Sequence, residues 1–259
     1  MADPVVTATH DYQVAGVRLS VTGGTSVGRR YRANFDVLHI SDVPPLALVA
    51  DGMGDGQGSA AAGRIATEVF VEEVTSRGGE LDPRTLRAAV ASAQQRVTAA
   101  GAALGELTGA TLTSFVVDQA GAAWIVHIGD SRAYRRRGRV LELLTVDHTA
   151  AWLGAIYGWY PIDSAAAAAA RYQLHRYVGH PGQPEPDVLN VSLRPGDRYL
   201  LCTDGLAEQV SYQRLDQLLG QLPQLSADEV VRQSLHDALA AGGHDNATVA
   251  LITVDPGEA

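Results

Sequence analysis

The chain has 259 residues, 46% of them hydrophobic and 19% charged. That suits one large globular domain and argues against disorder. A net charge of −9, with no basic block longer than the three arginines at 135–137, argues against non-specific binding to nucleic acid or an anionic membrane. The single cysteine, Cys202, lies inside an apolar run. It supports no disulfide framework and reads as a small buried core residue in a reducing cytoplasm. The start, MADPVVTATHDY, lacks the basic and apolar parts of a signal peptide. No apolar run approaches the ~20 residues that span a bilayer.

Strand-like runs come first, at Gln13 to Val21, Val37 to Ile40 and Leu46 to Ala50. Ser59 is placed to cap a helix whose apolar face is Ala62, Ile65, Ala66, Val69 and Phe70. Asp82, followed by Pro83, caps a second helix with the stripe Leu86, Ala89, Val90, Ala93, Val97 and Ala100. Three strands follow, Thr111–Asp118, Ala123–Ile128 and Ala133–Arg137, the first two joined by a hairpin. Residues 149–190 are irregular: aromatics and glycines, six alanines, then HPGQPEPD. They read as a mobile excursion with one short helix. A strand at Arg198–Thr203 precedes a helix from Ser226, where Glu229 completes a capping box. That helix packs through Val230, Val231, Leu235 and Leu239 and stops at Gly242–Gly243, before a final strand Ala247–Val254. Helix pairs between hairpin-linked strands predict an α+β fold with helices outside antiparallel sheets.

Four aspartates mark the ends of these runs. Asp51, Asp130 and Asp204 follow buried strands, and Asp245 opens the last one. Gathered carboxylates repel one another and need a cation. Oxygen-only ligands suit hard ions such as Mg2+ or Mn2+, and a two-ion carboxylate cage suits phosphoryl chemistry with an activated water. The glycines of DGMGDGQGS let the backbone approach a metal, and leave the carbonyl of Gly52 available as a ligand. Any single Asp-Gly is an ordinary turn signal; the joint pattern carries the reading.

The series RxNxD, DGMG, GxT, GDSRAY, LTxDH, LLCxDGL and GGxDNxT resembles the metal-dependent protein phosphatases (PPM), the type-2C serine/threonine phosphatases, in their bacterial form. The resemblance runs from about Tyr12 to Val254. It implies a sandwich of two antiparallel sheets flanked by helices, one domain over 1–259, with the metal centre at one edge between the sheets. It implies that Asp51 bridges two Mn2+ or Mg2+ ions and that the Gly52 carbonyl binds the second. Asp204 and Asp245 would complete the first, Asp130 with Asp204 would hold a weaker third, and Asp36 would bind metal-bound water. In the family, the water bridging the two metals attacks phosphorus directly, without a phospho-enzyme.

The chain departs from the family pattern in three places. Asp55 stands for a glycine and Gly56 for a histidine, and Asp55 reads as a solvated acid. The phosphate-binding arginine's usual position holds Tyr31, flanked by Arg30 and Arg32, either of which could reach phosphate. The segment at about 149–172 corresponds to the family's flap but has an unusual composition. His148 reads as a turn-stabilising residue rather than a catalytic acid, and His127 as a packed core histidine.

The resulting expectation is a cytoplasmic, monomeric phosphatase acting on phosphoserine or phosphothreonine of a phosphorylated protein, such as a kinase substrate. No nucleic acid or membrane partner is expected. The same chemistry on a phosphorylated small molecule is the first alternative. A non-catalytic phospho-binding module is the second; its mark would be a lost ligand aspartate, and all four are kept.

Overall fold

The computed structural model describes residues 4–7, 9–54, 56–77, 79–106, 108–161 and 163–257. Asp55 lies outside the described residues. The chain opens with β1 (Val5–Val6), β2 (His10–Val14) and β3 (Val17–Ser26). The single strand expected at Gln13 to Val21 is thus a hairpin. Its break falls at Ala15 and Gly16, both at positive φ, the backbone twist that matches a two-residue turn to its flanking strands. Then come β4 (Asp36–Asp42), β5 (Pro45–Asp51), α1 (Gln57–Ser76) and α2 (Pro83–Leu104). The middle holds β6 (Leu112–Val117), β7 (Ala123–Ile128), β8 (Arg132–Arg137), β9 (Val140–Leu143), α3 (Ala150–Tyr157) and α4 (Ala165–Ala170). The last third is β10 (Asp187–Val191), β11 (Arg198–Cys202), α5 (Asp204–Ala207), α6 (Tyr212–Gly220), α7 (Ala227–Ala240) and β12 (Ala247–Pro256).

Two antiparallel sheets form. One runs β1-β3-β12-β11-β8-β9 with β2 also on β3; the other runs β10-β7-β6-β5-β4. Side chains alternate across each strand, so one set from each sheet meets between them. Leu19, Tyr199, Leu201, Ala250 and Ile252 there face Ala47, Val49, Phe115 and Ile125. The opposite set of the second sheet, with Leu46, Leu48, Leu112 and Val126, packs on Phe70, Leu86 and Val90 of α1 and α2. Leu200, Val249 and Leu251 pack on Leu215, Leu218, Val230 and Leu235 of α6 and α7. Central strands are therefore buried on both faces, which is why they read as continuous apolar runs. Each fully buried Leu contributes about 1.5–3 kcal/mol.

The helix starts divide by local chemistry. Asp82 accepts from Thr85 N at 2.6 Å, and Ser226 with Glu229 makes the full capping box. Ser59 does not cap α1. The helix begins two residues earlier, with Gly56 as its N-cap and no side-chain cap. Ser59 is instead buried in the first turn, its hydroxyl donating to the carbonyls of Gly52 and, at 3.2 Å, Gly54. It fastens the DGMG loop rather than the helix end. Leu239 is only half-buried. The 149–172 stretch holds two short helices, not one, each with a side-chain cap, from Thr149 and Ser164.

Candidate active site

Strand register brings the aspartates together. Asp36 and Asp51 are partners across β4 and β5, at the same end of their sheet. Asp130 stands two residues beyond β7, after Gly129 at φ +115°. In the facing sheet, Cys202 pairs with Val249, so Asp204, just past β11, and Asp245, just before β12, reach the same edge. Asp51, Gly52, Asp130, Asp204 and Asp245 line one cleft of about 200 Å³. Asp36 lies behind it: its Oδ2 accepts from the Thr203 hydroxyl at 2.8 Å, and its Oδ1 is buried without a partner. Asp204 Oδ1 is also buried without a partner.

Every one of these carboxyls is pushed above the ordinary range. For Asp51 the causes are burial, then the charges of Asp204, Asp36, Asp130 and Asp245. Asp130 rises through burial and Asp204, and Asp204 through burial and Asp245. Asp36 rises chiefly through burial, against hydrogen bonds from Thr248 and Thr203. Asp245 rises through burial, opposed by the Asn246 N–H and the charge of Arg30. Unpartnered buried oxygens and repelling carboxylates are costly alone and fit a hard dication, which removes both costs. Among the described residues no three acidic, histidine or cysteine side chains form a ready-made metal-holding group. The aspartates approach the cleft from separate loops. That suits Mg2+-like ions, which keep several waters and take one or two carboxylates each.

Hydroxyls and amides in and behind the cleft fix the loops. Thr111 Oγ1 accepts from Asp51 N at 2.9 Å and lies 2.7 Å from Ser131 Oγ, both buried. This ties the Asp51 and Asp130 turns to each other. Asn246 Oδ1 accepts from Phe35 N at 2.7 Å, and its Nδ2 donates to Val27 and Ala33 carbonyls at 2.7 and 3.2 Å. It fastens the arginine-bearing loop to the turn of Asp245. Gly52 sits where a Cβ would collide with the Ser59 carbonyl, so only glycine lets loop and helix meet. None of Thr111, Ser131, Thr203 or Asn246 was given a role from sequence, although Thr111, Ser131 and Asn246 sit inside the GxT, GDSR and DNxT motifs.

Among the described residues, Tyr31 and not its neighbouring arginines lines the cleft. Arg30 and Arg32 are exposed at its rim. Arg30 lies over the Tyr31 ring, 4.9 Å from the centroid, and its charge is felt at Asp245. Tyr172 and Leu174, just beyond α4, close another side of the cleft. Beside it a second cavity of about 380 Å³ runs under α3, lined by Arg132, Trp152, Ala155, Arg171 and Glu208 among others. Tyr157 and Trp159 stack at 5.5 Å and are exposed. Cys202 is fully buried, and burial pushes its thiol up to about 12, as a core residue requires. His127 and His148 are buried as well; neither is among the residues lining the cleft.

Comparison with known proteins agrees with this geometry. The profile of the family described as "Protein phosphatase 2C" matches residues 24–240. The serine/threonine protein phosphatase PstP of Mycobacterium tuberculosis is 32% identical over 209 residues, covering 78% of this chain and 40% of that protein. The chain thus spans about two fifths of the length of this relative. The serine/threonine phosphatase stp of Listeria monocytogenes is 28% identical over 228 residues, 86% of this chain and 89% of that protein. The solved structure of Mycobacterium tuberculosis PstP/Ppp superposes with a TM-score of 0.80 at 29% identity, over 92% of this chain and 99% of that one. The PstP catalytic domain in complex with two manganese ions gives 0.79 at 28% identity, over 92% and 99%.

Proposed function

Since the chain belongs to the protein phosphatase 2C family, we propose that it is a metal-dependent phosphatase hydrolysing phosphoserine and phosphothreonine on proteins. The observation that carries this is the convergence of four aspartates from two sheets on one cleft, with carboxyls raised by burial and then by mutual repulsion. Asp51, the Gly52 carbonyl, Asp204 and Asp245 would hold two Mn2+ or Mg2+ ions. Asp130 with Asp204 would hold a weaker third. When bound, such ions lower the pKa of water and neutralise the charge of a phosphate ester. The manganese-bound PstP structure supports Mn2+ as the natural first choice.

The chain's own residues supply placement. Asp36 offers its free buried Oδ1 to water while Thr203 holds Oδ2. Arg30, beside Tyr31 and felt at Asp245, draws the phosphate dianion towards the cleft; Arg32, two residues on, is the alternative. Tyr31 and Tyr172 wall the approach. The relative named as a serine/threonine protein phosphatase favours a protein substrate over a phosphorylated metabolite. A net charge of −9 fits neither a nucleic acid nor an anionic membrane as partner. Among the described residues no helix is long and apolar enough to cross a membrane, and the single thiol suits the cytoplasm. We read residues 1–259 as one domain working as a monomer.

Assaying a panel of phosphopeptides beside phosphorylated metabolites, with Mn2+ and with EDTA, tests the reading. Turnover of phosphoserine and phosphothreonine peptides with Mn2+, abolished by EDTA, is expected. Full activity after chelation, or activity confined to metabolites, would refute it.

A further inference from the structure

His148 is 2% exposed and sits 18 residues beyond Asp130 in sequence, yet both its backbone and its ring grip the turn that carries Asp130. Its N–H donates to the Gly129 carbonyl at 2.8 Å. Gly129 N–H donates back to His148 Nδ1 at 3.0 Å. Nδ1 must therefore be unprotonated, and the proton of the neutral ring sits on Nε2. Nε2 lies 3.1 Å from Asp187 Oδ2, to which it donates. Arg176 Nη2 donates to the other oxygen of the same carboxylate at 2.8 Å, with Nη1 2.7 Å from Nε2. The ring cannot accept at both nitrogens, so Arg176 acts on it through the shared Asp187. That carboxyl is held well below the ordinary range by the His148 hydrogen bond and by Arg176.

We propose that His148 is a positioning residue for Asp130, held in one tautomer by the Asp187–Arg176 pair of β10 and the chain before it. Gly129 is the positive-φ residue at which the chain leaves β7 for the facing sheet, so a ring fixed against its N–H sets where the Asp130 carboxylate points. Ser131 on the other flank is fixed by Thr111. Asp130 is thus clamped from both sides, by His148, which does not line the cleft, and through Ser131 by Thr111, which does. A proton-donor role is disfavoured by the same geometry, because the Nε2 proton is committed to Asp187 and neither residue lines the cleft. Partners that orient a metal ligand from behind typically cost 10- to 100-fold in affinity or activity when removed.

The inference rests on the reading of Asp130 as a metal ligand, and Mn2+ titration calorimetry on the whole chain separates the two. In wild type, a weaker ion should bind beyond the two tight ones, and Asp130→Ala should lose it. His148→Ala should weaken that ion by about 10- to 100-fold and leave the tight pair in place. His148→Asn, whose Oδ1 can accept from Gly129 N–H where Nδ1 did, should restore binding to within a few-fold of wild type. Asp187→Asn, at the half-exposed end of the relay, should fall between. Melting temperature checks the fold of each variant; if His148→Ala does not fold, Asp187→Asn and His148→Asn decide. Wild-type binding in His148→Ala or in Asp187→Asn, or no rescue by His148→Asn, overturns the relay. Retention of the weak ion in Asp130→Ala overturns the metal reading of Asp130 and the relay with it.

Discussion

Asp51 is the residue on which the other charges bear most broadly: Asp36, Asp130, Asp204 and Asp245 all raise its carboxyl. Asp51→Asn removes one charge from the centre of the cleft and leaves its backbone N–H bond to Thr111 intact. We expect a loss of ~10³-fold or more in kcat/KM, about 4 kcal/mol of transition-state stabilisation, with the melting temperature of the metal-free protein unchanged or raised. Steady-state kinetics within about tenfold of wild type would contradict its role. The aspartates were legible because each follows or opens an apolar run, so sequence alone placed it at a strand end. The groups that hold them were not. Thr111 and Ser131 are ordinary strand and turn residues until the fold sets them 2.7 Å apart. The arginine was not legible either, since exposed side chains on one loop carry no periodic pattern to say which points inward.

At the scale of elements, the flap is where expectation and structure part. Its alanines have no apolar stripe, so periodicity could locate no second helix. The caps Thr149 and Ser164 set both helices, and a single hydroxyl is a weak signal against six uniform side chains. β9, β10 and α6 were also missed. β9 and β10 are short and only partly buried, which blurs their alternation, and α6 is a nine-residue helix with three buried leucines. Regions buried on both sides were read correctly, as the runs of β5, β7 and β11 show. Tyr157 and Trp159, in the 149–172 segment, are exposed and stack on each other. Replacing both with Ser should change kcat/KM among phosphopeptides by several-fold while hydrolysis of a small aryl phosphate stays within about twofold. Parallel losses on both substrate types would remove the flap from recognition.

The molecule as a whole carries buried charge chemistry that couples it to pH. His127 is fully buried between Thr113 Oγ1 at 2.9 Å and the Val146 carbonyl at 3.0 Å. Burial, with His148 beside it, pushes its pKa down to about 3, against about 6.5 in an unfolded chain. Below pH 6.5 the unfolded chain therefore takes up a proton that the native state refuses. The contribution of this group to stability falls as pH drops from about 6.5 towards about 3, by at most about 1.4 kcal/mol per pH unit, while the raised aspartates act in the opposite sense. Above pH 6.5 the group adds no slope. Denaturant unfolding at pH 7, 5.5 and 4.5 should show His127→Asn losing less stability over that span than wild type. Identical slopes would mean that His127 is not buried neutral.

β12 pairs with β3 along its whole length, from Ala247 against Ser26 to Pro256 against Val17. Asp245 stands two residues before that strand, and Asn246 between them reaches back to Phe35, Val27 and Ala33. The two segments are separated by more of the chain than any local contact can bridge, and closing such a loop is slow compared with forming the helices between. During synthesis, Asp36 and Asp51 emerge early, but their cage lacks a wall until the last strand leaves the ribosome and docks. On the proposed reading of the cleft, the growing polypeptide would be silent by construction, its site lacking the wall that carries Asp245 until β12 has docked on β3.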